Sequence, residues 1–101
     1  MSKPPTPQGI SRLLAKAGFE RAEWEREHRM QVCVRDGYRV VKASSSGTAV
    51  SVRWCQVARA ARNDGRESVR LSDYAEALAA SGWRALRMER EVIVTAGEDT
   101  P

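Results

Sequence analysis

Histidine and phenylalanine each occur once in this chain of 101 residues, cysteine twice and proline four times. His28 has no partner for the Cys/His spacings that hold zinc, and Cys33 and Cys55 lie 22 positions apart with no second ligand beside either. No disulfide framework or bound cofactor is therefore expected, and both thiols read as reduced and at least half-buried. No stretch approaches the roughly 18 apolar residues that a spanning helix needs, so no membrane partner is expected. Met1-Ser2-Lys3-Pro4-Pro5-Thr6-Pro7 has no apolar run behind it, which speaks against a secretory or mitochondrial leader and for the cytoplasm. Bulky apolar residues are scarce as well. Against 14 Ala there are 18 Leu, Ile, Val and Phe together, enough for one small core and no more.

The abundant charged residue is arginine, at 14 against 3 Lys, with 13 acidic residues leaving a formal net charge of +4. The bias to Ala, Arg, Val and Gly is that of a GC-rich genome. Catalytic constellations are missing from the sequence. There is no Gly-x-Ser-x-Gly elbow, no His-Glu-x-x-His and no phosphate-cradling glycine loop, and His28 sits within Arg26-Glu27-His28-Arg29, where a solvated side chain is the expectation. Glu20, Glu23 and Glu27 share helical offsets, but arginines interleave with them, so ion pairing is a better account than a metal or acid–base site. A non-catalytic protein follows.

Along the chain, residues 1–5 read as a disordered tail, 6–96 as one α+β domain and 97–101 as an acidic disordered tail. Thr6-Pro7 supplies an N-cap and a first-turn proline, and Ile10, Leu13, Leu14 and Ala17 follow at helical spacing up to Gly18. Residues 20–27, around Trp24, read either as a second short helix or as a continuation of the first. From Met30 the period becomes two. Asp36-Gly37 is a hairpin signal, and the Ser44-Ser45-Ser46-Gly47 loop is another. Closing both turns predicts a three-stranded antiparallel meander with Val41 opposite Val50. One face then collects Met30, Val32, Val34, Val41, Ala43, Val50, Val52 and Trp54, with Arg39 as its single misfit. The second helix is predicted from about Ser68, through Leu71, Tyr74, Ala75 and Leu78, to Gly82. A C-terminal β-hairpin, Arg84 to Met88 and Glu91 to Ala96, closes the chain around a chemically poor turn.

Gly18-Phe19 and Gly82-Trp83 echo each other after similar helical residues. Two independent helix stops account for this, and a duplicated ancestor is the other reading. Tyr74-Ala75-Glu76-Ala77-Leu78-Ala79-Ala80-Ser81-Gly82-Trp83 running into Glu91-Val92-Ile93-Val94-Thr95-Ala96, together with Gly37-Tyr38-Arg39-Val40, resembles small uncharacterised proteins of GC-rich actinobacteria and their phages. That resemblance implies a phage or mobile-element setting and brings no active site with it.

Two binding surfaces compete. The far face of the predicted meander shows Arg35, Tyr38, Lys42 and Arg53, cations around an aromatic ring, as in single-strand-binding sheets. A second cationic run, Arg59, Arg62, Arg66 and Arg70, could contact phosphates. Set against nucleic acid are the modest net charge, the spread of acidic residues and the absence of a helix-turn-helix. Trp24 and Arg26 lie in the segment with no predicted burial and are of the residue types that anchor protein interfaces. The first expectation is thus a protein-binding module, a phage or mobile-element accessory protein. A nucleic-acid-binding protein is the alternative. The small aliphatic total also favours a homodimer.

Overall fold

Helix α1 (Pro7–Lys16) starts where Thr6 caps it, the hydroxyl accepting the Gly9 N–H at 3.0 Å. Ile10 and Leu14 are its buried residues. The computed structural model describes residues 4–43, 48–57 and 65–96. After α1 come β1 (Glu23–Glu27), β2 (Met30–Arg35), β3 (Gly37–Lys42), β4 (Val50–Cys55), α2 (Arg66–Ala80), β5 (Arg84–Arg87) and β6 (Val92–Thr95). The fold is α+β, with two helices, antiparallel sheets and a C-terminal hairpin. Both helices end alike: Gly18 and Gly82 take left-handed φ values of 98° and 94°, and the N–H of Phe19 and of Trp83 returns to Leu14 and Leu78. This is the same capping device used twice. Pro5, expected in the tail, is buried.

Four strands form one sheet in the order β3-β4-β6-β5, and β1 and β2 form a separate two-stranded sheet. Since β6 is antiparallel to both neighbours, β4 and β5 run parallel on either side of it, joined through α2. Val50 and Val52 of β4 face Val94 and Val92 of β6. With Ile10 and Leu14, and with Leu71, Tyr74 and Leu78 of α2, they make the core. The Tyr74 ring meets Phe19 edge-on at 4.9 Å and Tyr38 at 6.2 Å. The poor turn between β5 and β6 is held by Arg87, whose guanidinium donates to the Met88 and Glu89 carbonyls and to Ser68 at the start of α2.

The predicted meander is altered in two respects. Its three strands exist as β2, β3 and β4, but β2 pairs with β1, so residues 20–27 supply an extended strand instead of a helix. The other change is a one-residue slip between β3 and β4, which places Lys42, not Val41, opposite Val50. Because side chains alternate, the slip turns the whole of β3 over. Tyr38 and Val40 face the core, and Arg39, the misfit of the predicted register, leaves it. Met30, Val32 and Val34, predicted as core, lie on the outer face of the β1–β2 pair, with Met30 69% and Val34 41% exposed.

Asp36-Gly37 fails as a hairpin turn because both residues are engaged elsewhere. The Asp36 carboxylate accepts the Val57 N–H at 2.6 Å and pairs with Arg66 at 3.0 Å, tying the β2–β3 junction to the end of β4 and the start of α2. Gly37 has no left-handed φ. It is glycine because the backbone of residues 20–22 crosses it, where a Cβ would lie 2.5 Å from the Glu20 O, Arg21 C and Ala22 N atoms. Gly37→Ala should therefore cost about 3 kcal/mol, the upper end of overpacking penalties, read as a lowered urea midpoint with an unchanged slope.

Candidate functional site

The β1–β2 hairpin is an arm whose strands contact each other and little of the remaining fold. Its turn, His28-Arg29, places two non-glycine residues at φ 47° and 67°. These are the signs of a type I′ turn, which Asn-Gly adopts with far less strain. Trp24 and Arg26 stand opposite Cys33 and Gln31 on one side of the arm; on the other, Met30 and Val32 stand opposite Glu27 and Glu25, with Val34 following at the irregularity in the pairing. Every residue of β1 is exposed.

Where the arm leaves the main sheet, the chain grips the edge of β3. Tyr38 donates its N–H to Glu20 O and accepts the Ala22 N–H, each at 3.0 Å. Beside this grip opens a cleft of about 520 Å³, with Ser11 and Arg12 of α1 on one wall, Trp24 and Gln31 of the arm on the other, and Arg39 and Val40 of β3 along the floor. Three guanidiniums, Arg12, Arg21 and Arg39, line it, and no carboxylate does. Arg39 lies 5.1 Å from the centre of the Trp24 ring, a cation–π contact that holds both groups at the cleft. None of the three arginines makes an ion pair among the described residues. The cleft is thus an uncompensated cationic site with an aromatic wall.

The arginines singled out in the sequence are arranged differently. Arg35 is bonded to Glu20 and Glu23 at 3.3 Å each, so those carboxylates do pair with arginine, though not with the neighbours expected. Arg53 lies 3.8 Å from Glu91 and shares Ser51 with it. Arg66 is held by Asp36, and Arg70 is 4.0 Å from Asp73. Tyr38, expected as an exposed stacking ring, is 1% exposed, with its hydroxyl donating to the Ser11 carbonyl at 2.8 Å. The register slip buried it, so it cannot stack on a base. Lys42 remains exposed, and Arg59 and Arg62 lie outside the described residues. Sequence reasoning missed Arg12, Arg21 and Arg39 as a set; the misfit at Arg39 was the one available signal.

A second cleft, of about 450 Å³, is bordered by Phe19, Trp54 and Tyr74 with Glu20, Asp36, Arg66 and Arg70. Its charges are of both signs and largely paired. Among the described residues, no three His, Cys, Asp or Glu side chains converge to hold a metal, and no helix is long and apolar enough to cross a membrane. Cys33 and Cys55 are free thiols. Burial pushes the Cys55 thiol above its ordinary value, with Cys33 adding to the effect and Arg39 and Arg53 opposing it. Burial likewise pushes the Tyr74 hydroxyl up, against the pull of Arg70. No family model, curated protein or solved structure matches the chain.

Two outcomes follow. Replacing His28-Arg29 with Asn-Gly relieves the turn by about 1 kcal/mol, so amide exchange across β1 and β2 should slow about fivefold. For both raised groups the unfolded chain loses its proton first, so stability is full at neutral pH and falls as pH rises through the thiol and then the phenol range. Urea midpoints from pH 7.5 to 10.5 should decline, and Cys55→Ala with Tyr74→Phe should flatten the decline.

Proposed function

We propose that this chain is a small non-catalytic module that binds another protein, with the β1–β2 arm as its contact surface. The observation that carries this reading is the exposure of Met30 and Val34, with half-buried Val32 between them, on a two-stranded arm whose other side carries Trp24 at 37% exposure. A lone hairpin is marginal in water, and exposed apolar rows of this kind mark interaction sites. A partner laid on the arm would bury the stripe and give the arm a second layer. The nucleic-acid alternative has less support, since Tyr38 is in the core and Arg35, Arg53 and Arg66 are paired with carboxylates, while Lys42 stays exposed and Arg59 and Arg62 lie outside the described residues.

The non-catalytic part of the reading rests on the sequence, which has one histidine and none of the catalytic motifs sought. The cytoplasm is the proposed compartment, and an accessory protein of a phage or mobile element the proposed setting. A second copy of the chain, joined arm to arm, is the homodimeric form of the same reading.

Affinity capture from the host is expected to return one stoichiometric protein. Trp24→Ala and Met30→Glu should each weaken that capture by about 2 kcal/mol, as interface anchors do. Light scattering of the purified chain at high micromolar concentration separates the forms: a dimeric mass that Met30→Glu abolishes identifies the second copy. Capture of nucleic acid alone, with a monomeric mass, would overturn the reading.

A further inference from the structure

We propose that the Arg-lined cleft accepts an acidic, extended polypeptide segment that adds as a further strand to the free edge of β3. This rests on the protein-binding reading and names the chemistry of the partner. Strand β3 is the edge of its sheet. In an antiparallel pair successive residues turn their N–H and C=O alternately toward the partner strand and away from it. Ala43 donates to Ala49 across the β4 side, whereas Tyr38 bonds outward to Glu20 and Ala22. Val40 and Lys42, two and four residues beyond Tyr38, therefore turn their backbone groups outward too. The segment that grips Tyr38 departs into the arm after Ala22, so among the described residues no strand continues beside Val40 and Lys42. The cleft reaches this edge at Val40 and Val41, and Lys42 follows just beyond its lining.

Residues 20–22 already show what fits there, since they form a short parallel bridge to Tyr38. A guest strand extending that line would run between α1 and the arm. Its side chains would alternate toward Arg12 on one wall and toward Arg39 and Trp24 on the other, with Arg21 at the end. Three guanidiniums without a carboxylate in the lining call for anionic side chains on both faces of the guest. The edge asks for more than charge, however. Val40 and Lys42 present carbonyls as well as N–H groups, and those carbonyls need donors spaced along the guest backbone. A polypeptide carries them at the right interval, and a phosphodiester backbone has none.

The test uses a fluorescein-labelled octapeptide of Glu-Glu-Val-Val repeats, which carries carboxylates on both faces when extended, titrated with the full chain by anisotropy. Binding is expected. N-methylation of alternate amides should weaken it about tenfold in one register, the worth of lost hydrogen bonds, and leave it unchanged in the other. Lys42→Pro removes one outward N–H without touching the β3–β4 ladder, so it should bind about tenfold more weakly than Lys42→Gln at an unchanged melting temperature. Arg12→Gln with Arg39→Gln should weaken both peptide binding and its salt dependence. No binding, equal affinity for both methylation registers, or displacement by an eight-nucleotide oligo-dT that binds more tightly would each overturn the proposal. A host partner released by Met30→Glu but retained by Lys42→Pro would overturn strand addition alone and leave the protein-binding reading standing.

Discussion

Two hydrogen bonds across a bare Cα decide how this molecule is organised. The backbone of Glu20 and Ala22 closes on Tyr38 while passing over Gly37, at a distance no side chain would allow. That grip ends the growth of the sheet at β3, seals Tyr38 against Tyr74 beneath it, and sends the following residues out of the sheet as an arm. The arm could not pair back onto β3 at this point, because the edge at Tyr38 is already taken. Its strands pair with each other instead, leaving Met30 and Val34 of β2 in solvent. The cleft is the remainder of the same geometry, the length of β3 edge that residues 20–22 do not cover.

Charge is partitioned around this junction. Carboxylates are spent on arginines that brace the frame: Glu20 and Glu23 on Arg35, Asp36 on Arg66, Glu91 on Arg53. The two Arg35 pairs are exposed at both ends and contribute little each to stability, while Asp36 and Glu91 are half-buried. Their larger effect is on recognition, because they offset Arg35, Arg53 and Arg66, and none of these carboxylates reaches Arg12, Arg21 or Arg39. Asp36 does the most structural work of the set, since it accepts from the Val57 backbone as well as from Arg66. An aspartate-glycine pair that reads locally as a turn is here a tertiary tie.

Local rules carried the sequence reading far. Thr6-Pro7, the helical spacing of Ile10 and Leu14, the two Gly-aromatic stops and the apolar alternation of Val92 and Val94 each act within a few residues. The elements they specify formed as expected. The same holds for the scarcity of bulky residues, which made one small core the only option. Trp24 and Arg26 were legible as surface candidates because nothing near them in sequence could cover them. The three cleft arginines were not, since Arg12 sits on the polar side of a helix, Arg21 in a connector and Arg39 in a strand, 27 positions from first to last.

By itself the sequence determined the α+β class, the helices and their ends, the final hairpin and the absence of familiar catalytic motifs. These follow from propensity, capping and period, which are short-range. Only the tertiary structure decided which strand pairs with which, and by how many residues. Asp36-Gly37 satisfies a hairpin locally, and its preference is overridden by a carboxylate with two distant partners and a Cα that must admit another backbone. One residue of slip between β3 and β4 then moved Tyr38 inward and Arg39 outward, exchanging an expected stacking surface for a cationic cleft. Alternation makes every strand residue a choice between two faces, and that choice is set by long-range packing rather than by the strand itself.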